Sequence, residues 1–207
     1  MGYDVYGLNP KQNTEEPAIL SKFANEDGFN DWSLMNDDDK KAYFDAQDTY
    51  RGENPGEYYR ANVWYWRPVW NFVCAACDDF LSNKDIDAGC SNSGGKISKT
   101  KANRMGSRLK KLDKQGVIQK WEDEMMVPFN KAQKNNKQVR KEMNAFQEKM
   151  KKKHGEDIVP GNYPKDDYAK WNEIYAREDW GGSYPPSRRA IVEFGRFCAE
   201  SGGFEVW

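Results

Sequence analysis

Asn62–Val63–Trp64–Tyr65–Trp66–Arg67–Pro68–Val69–Trp70 packs three tryptophans, a tyrosine, an arginine and an amide into nine residues. Upstream of it, Gly56 is followed by Tyr58, Tyr59, Ala61, Val63 and Tyr65, a run suited to extended backbone. Within it, Pro68 suits the first position of a helix, and Arg67 before it is biased away from helical geometry. The expected arrangement is a strand over 58–66 that breaks at Arg67–Pro68 into a helix reaching about Leu81. That helix would place Val69, Phe72, Val73, Ala76 and Phe80 on one face and Trp70, Cys74, Cys77 and Leu81 on the next, so it should be buried. On the strand, Arg60, Asn62, Trp64 and Trp66 share one side. Indole faces beside an amide and a guanidinium are either packed core or the floor of a pocket for a planar, anionic ligand, and both readings stay open.

Outward from this cluster, Tyr3 to Tyr6 alternates aromatic or β-branched residues with polar ones and closes at Gly7, Asn9 and Pro10, a short strand and turn. Residues 11–36 are polar and irregular, with Phe23, Phe29 and Trp32 as anchors. Asn36 should cap a helix that carries Asp37, Asp38 and Asp39 in its first turn and ends before Gly52. Ser98 is expected to cap a basic helix with Ala102, Met105, Leu109 and Leu112 inside, stopping at Gly116. Beyond it come one or two charged helices, interrupted or restarted near Pro128, then a loop over Gly155–Pro164 and a shorter helix bearing Tyr168, Trp171, Ile174 and Tyr175. Ser187 caps a last helix with Ile191, Phe194, Phe197 and Cys198 inside. Gly202–Gly203 ends it, and Phe204, Val206 and Trp207 alternate as a terminal strand. The fold class is α+β, mostly helical, with a small sheet that includes the chain ends and the 58–66 strand. The whole of 1–207 reads as a single domain with a charged helical insertion at about 119–180.

A net charge of −1 conceals segregation: residues 1–57 hold five Lys/Arg against thirteen Asp/Glu, whereas residues 84–153 hold nineteen against eight. The two ends of that imbalance are either solvated faces that complement each other within or between subunits, or a positive surface for phosphate groups. Homo-oligomerisation is therefore open. Extended nucleic acid is not expected, because the acidic part would repel it. No basic segment followed by an apolar run starts the chain, and no run of about 18 apolar residues occurs in it, so neither a secretory signal nor a membrane span is expected. Cys74, Cys77, Cys90 and Cys198 then read as free thiols of a reducing, cytoplasmic compartment.

Catalytic signals are sparse. Cys74–Ala75–Ala76–Cys77 has the spacing of a zinc half-site, but the other two cysteines are isolated and His154 is the only histidine. His154 follows three lysines near a helix end, where it answers the helix dipole, so no nucleophile–base arrangement is supported. Asp37–Asp38–Asp39 lacks the spacing of a calcium loop. Gly94–Gly95–Lys96–Ile97–Ser98–Lys99–Thr100–Lys101 combines a glycine turn, a hydroxyl at a helix start and three lysines. Backbone N–H groups and ammonium groups could converge there on one anion, although the spacing is not that of a P-loop. The alternative is an ordinary capped basic helix.

Met1–Gly2–Tyr3–Asp4–Val5–Tyr6–Gly7–Leu8–Asn9–Pro10, Gly56–Glu57–Tyr58–Tyr59–Arg60 with the Asn62–Trp70 cluster, Lys96–Ile97–Ser98–Lys99 and Ser201–Gly202–Gly203–Phe204–Glu205 together resemble a family of small proteins encoded mostly by bacteriophages and by some bacteria. That family carries no established activity. Its members often have a cysteine-rich, zinc-knuckle-like insertion where this chain has a Lys/Glu-rich helical one, so no metal and no other cofactor is expected. A phage setting implies one function in particular, because phages encode small non-enzymatic sponges that sequester nucleotide signals of bacterial immune systems. The expected function is such an anti-defence protein, cytoplasmic in the infected host, whose partner is a nucleotide-type small molecule. The candidate ligand-binding residues are Arg60, Asn62, Trp64, Trp66, Arg67, Trp70, Lys96, Ser98, Lys99 and Lys101, with no catalytic residue among them. The alternatives are a protein-interaction module acting through the basic insertion and a phosphodiesterase-like enzyme.

Overall fold

A computed structural model describes residues 2–207. The chain divides into two compact units, Met1–Ile118 with Ser187–Trp207, and Gln119–Pro186. The first holds a four-stranded antiparallel sheet ordered β2-β1-β4-β3, from strands β1 (Gly2–Gly7), β2 (Tyr58–Asn62), β3 (Gly95–Ile97) and β4 (Phe204–Val206). Both end strands are in it and pair with each other, Val5 opposite Val206. β1 and β4 are the inner strands, and burial alternates along each: Tyr3, Val5, Phe204 and Val206 are buried while Asp4 and Glu205 between them are partly exposed. The class is α+β and mostly helical.

Five helices belong to this unit: α1 (Asp37–Glu53), α2 (Val63–Ala76), α3 (Asn83–Cys90), α4 (Lys99–Lys114) and, after the second unit's helices, α7 (Arg188–Glu200). Asn36 caps α1 reciprocally with Asp39, as the acidic first turn suggests. Ile191, Phe194, Phe197 and Cys198 on α7 pack with Ala102, Met105 and Leu109 of α4 among the most deeply buried residues. The expected helix from Pro68 to Leu81 is displaced: α2 begins five residues earlier and ends at Ala76. Ser82, reciprocally capped with Asp85, then starts α3, and the short strand β3 precedes α4.

In the second unit, α5 (Val117–His154, whose first two residues belong to the first unit) runs through Pro128 without a break, and α6 is Lys165–Tyr175. Asn136, almost wholly buried, both donates to and accepts from the backbone of Asp179, each at 2.7 Å. Phe146 on α5, Tyr163 in the loop after it and Trp171 on α6 form a ring cluster. No helix among the described residues is long and apolar enough to cross a membrane.

Candidate functional site

The backbone turns at Asn62, not at Pro68. Its side-chain oxygen accepts from the backbone N–H groups of Trp64 and Tyr65, both at 3.0 Å, so Asn62 is the cap of α2 and the strand stops there. Pro68 sits inside the helix, where it forgoes one backbone hydrogen bond. The consequence for the tryptophans is geometric. On a strand, residues 64 and 66 share a face; on a helix they point about 200° apart. Trp66, 1% exposed, stacks on Trp70 at 5.5 Å and on Tyr3 at 5.4 Å, and its indole N–H donates to the Gly89 carbonyl at 2.6 Å. Trp70 is equally buried and donates to the Ile86 carbonyl at 3.0 Å. Trp66, Val69, Trp70 and Val73 thus form the helix's inner stripe, continued by Cys77 just past its end. Trp64 and Arg67 lie three residues apart on its exposed side. The extended floor of Arg60, Asn62, Trp64 and Trp66 does not form, because the cap starts the helix too early.

The lysine segment is likewise partly claimed by its neighbours. Lys96 on β3 pairs with Glu205 on β4 at 3.4 Å. Lys101 pairs closely with Asp85, which also accepts from Ser82. Burial pushes the Asp85 carboxyl up, but Lys101 and Ser82 together outweigh it and leave it below its ordinary value. Ser98 occupies the cap position of α4 without a side-chain capping bond, and Lys99 is exposed. Among the cysteines, burial pushes the Cys74 thiol up to about 11 and Cys77 to about 12, the opposite of what a reactive thiolate needs.

A cationic cleft of the first unit lies elsewhere. The C-terminal end of α1, strand β2 and the outer face of α7 enclose about 480 Å³, lined by Arg51, Arg60, Arg189 and Arg196 with Tyr58, Tyr59 and Pro55 among others. Asp48 and Glu193 are the carboxylates in its lining. Glu193 is taken by Arg189 at 2.7 Å, and Arg60 lies 3.7 Å from Asp4. Arg51 stacks its guanidinium over the Tyr58 ring at 4.8 Å, and neither it nor Arg196 has a carboxylate partner among the described residues. The two tyrosine hydroxyls are occupied: Tyr58 donates to Asp4 and Tyr59 to the Ala190 carbonyl at 3.2 Å. Burial foremost raises both phenols, with Asp4 adding to the shift at Tyr58, so they stay protonated at neutral pH.

Of the candidate ligand-binding residues read from sequence, this cleft contains Arg60 alone. Arg51, Arg189 and Arg196 were not expected. The available signal was their spacing: Arg189, Glu193 and Arg196 recur at helical intervals on the polar side of α7. No family model, curated protein or solved structure matches the chain.

Proposed function

We propose that the protein binds a small phosphate-bearing ligand of the nucleotide type in the arginine cleft and holds it without converting it, in keeping with the sponge role that the phage-family resemblance implies. The observation that carries this reading is the pair Arg51 and Arg196, two guanidinium groups that share a cleft with Arg60 and Arg189 and have no carboxylate partner among the described residues. Guanidinium forks match phosphate oxygens, and the plane of Arg51 on Tyr58 offers a surface on which a nucleobase can stack. The state of the lining groups supports holding over conversion. Its two tyrosines are hydrogen-bonded and protonated, and Glu193 is bound to Arg189, which leaves Asp48 as the carboxylate without such a partner.

A melting-temperature screen against cyclic mononucleotides, cyclic dinucleotides and ADP-ribose tests this directly. A ligand at a hundred times its Kd stabilises the native state by about 2.7 kcal/mol. One or more of these compounds should raise the melting temperature, and intact compound should be recovered after denaturing the complex. The reading is wrong if none does so, or if the shift persists in Arg51→Ala/Arg196→Ala.

A further inference from the structure

The acidic segment of the chain carries an aromatic face that the ligand cleft does not use. Residues 18–36 fold back on α1 through a small core of Leu20, Met35, Tyr43 and Tyr50. On the outside of that core Trp32 and Phe44 stack at 5.6 Å with their rings within 14° of parallel, yet they remain 45% and 50% exposed. Phe29 and Leu34, in the same arm, are more exposed still. Large apolar side chains gathered in one arm point to a contact surface, because solvent-facing rings gain little by being there. The surroundings are strongly anionic: residues 25–48 hold eight Asp/Glu against two lysines.

The chemistry that would cover this face is cationic with an aromatic or aliphatic component, and the chain carries such a surface itself. Helix α4 has seven Lys/Arg against one Asp. A groove of about 340 Å³ on it is lined by Phe80, Arg104, Arg108 and Lys111 among others, with the Arg104 guanidinium 4.1 Å above the Phe80 ring. Asp79 neutralises part of this charge through Arg104 and Arg108, while Lys111 adds a cation beyond them. We propose that the Trp32–Phe44 face of one copy docks on the α4 groove of a second copy. Opposite charges steer the two surfaces together, and guanidinium groups seat on the exposed indole and phenyl rings. A net charge of −1 leaves almost no overall repulsion between copies to oppose the contact. The contact is heterologous, so each copy offers both a donor face and a receiving groove.

Sedimentation velocity of the full chain across a wide concentration range tests this. Mass above the monomer is expected at low salt, falling toward the monomer at high salt. Trp32→Ala/Phe44→Ala and Arg104→Glu/Lys111→Glu should each lose self-association while keeping the wild-type circular dichroism spectrum. Because each variant retains the surface the other lacks, mixing them should restore a one-to-one complex that neither forms alone. A monomer at every concentration would overturn the proposal. So would an assembly indifferent to both variants, or a variant mixture that stays monomeric. Capture of an unrelated cationic peptide by a strictly monomeric chain would show that the face serves a different partner.

Discussion

Replacing Trp66 by phenylalanine separates the two roles that the aromatic cluster could play. The substitution keeps an aromatic ring in the stack between Tyr3 and Trp70 but removes the indole N–H that meets the Gly89 carbonyl at 2.6 Å. That carbonyl is left buried without its donor, a loss of about 1–3 kcal/mol. The smaller ring also gives up apolar contact area on the order of 40 Å², or about 1 kcal/mol. The combined loss of about 2–4 kcal/mol is a sizeable part of the roughly 5–15 kcal/mol that holds an ordinary domain together. With a urea slope of about 2 kcal/mol per molar, the unfolding midpoint should fall by about 1–2 M with the slope unchanged. Far-UV circular dichroism is the suitable probe, since the substitution alters tryptophan fluorescence. A midpoint that stays with the wild type would refute the assignment of Trp66 to the core. Loss of ligand binding without loss of stability would do the same.

Asn62→Ala should cost about 1 kcal/mol in a urea titration, because the first N–H groups of α2 lose their acceptor; an unchanged midpoint would put the helix start elsewhere. Gly89→Ala should be more damaging than an ordinary helix glycine replacement, which is usually stabilising. The added Cβ would fall 2.0 Å from the Trp70 ring, so a net loss of about 1–3 kcal/mol is expected. The pH dependence of stability should reflect Asp85, whose carboxyl is held below its ordinary value when folded. Its contribution is present above the unfolded value of about 3.9 and is lost as pH falls through the folded one. Midpoints measured from neutral pH down to about 3 should therefore drop in the acid range, and less steeply in Asp85→Asn.

Much of the fold could be read from local chemistry. Tyr3–Val5 and Phe204–Val206 alternate as half-buried strands do, and they are the central pair of the sheet. Asn36 with its acidic first turn, and Ser187 before the apolar stripe of α7, announce helix starts that the structure contains. The aromatic cluster was misjudged because two valid signals compete there. Pro68 is tolerated one turn into a helix when tertiary packing favours it, and Asn62 is as good a cap as any residue in the chain. The cap's bonds to residues 64 and 65 decided the outcome, and the burial of Trp66 and Trp70 against Tyr3, α3 and Phe194 reinforced it. The ligand cleft was hard to see for another reason. Its arginines come from positions 51, 60, 189 and 196, brought together only by the tertiary placement of α1, β2 and α7. No local pattern encodes that proximity. Strand β3 and helix α3 are hard to read because both are short, and they flank the glycine- and serine-rich stretch Ser91–Gly95.

The placement of the ligand in the arginine cleft is tested most directly by equilibrium binding of the nucleotide that gives the largest melting shift, measured by calorimetry on three proteins: wild type, Arg196→Ala and Trp64→Ala. Losing one charge-assisted contact of about 1.5–3 kcal/mol should weaken binding to Arg196→Ala by roughly 10- to 150-fold. Trp64→Ala should bind as the wild type does. Full affinity in Arg196→Ala together with lost affinity in Trp64→Ala would contradict that placement and return the ligand to the exposed side of α2.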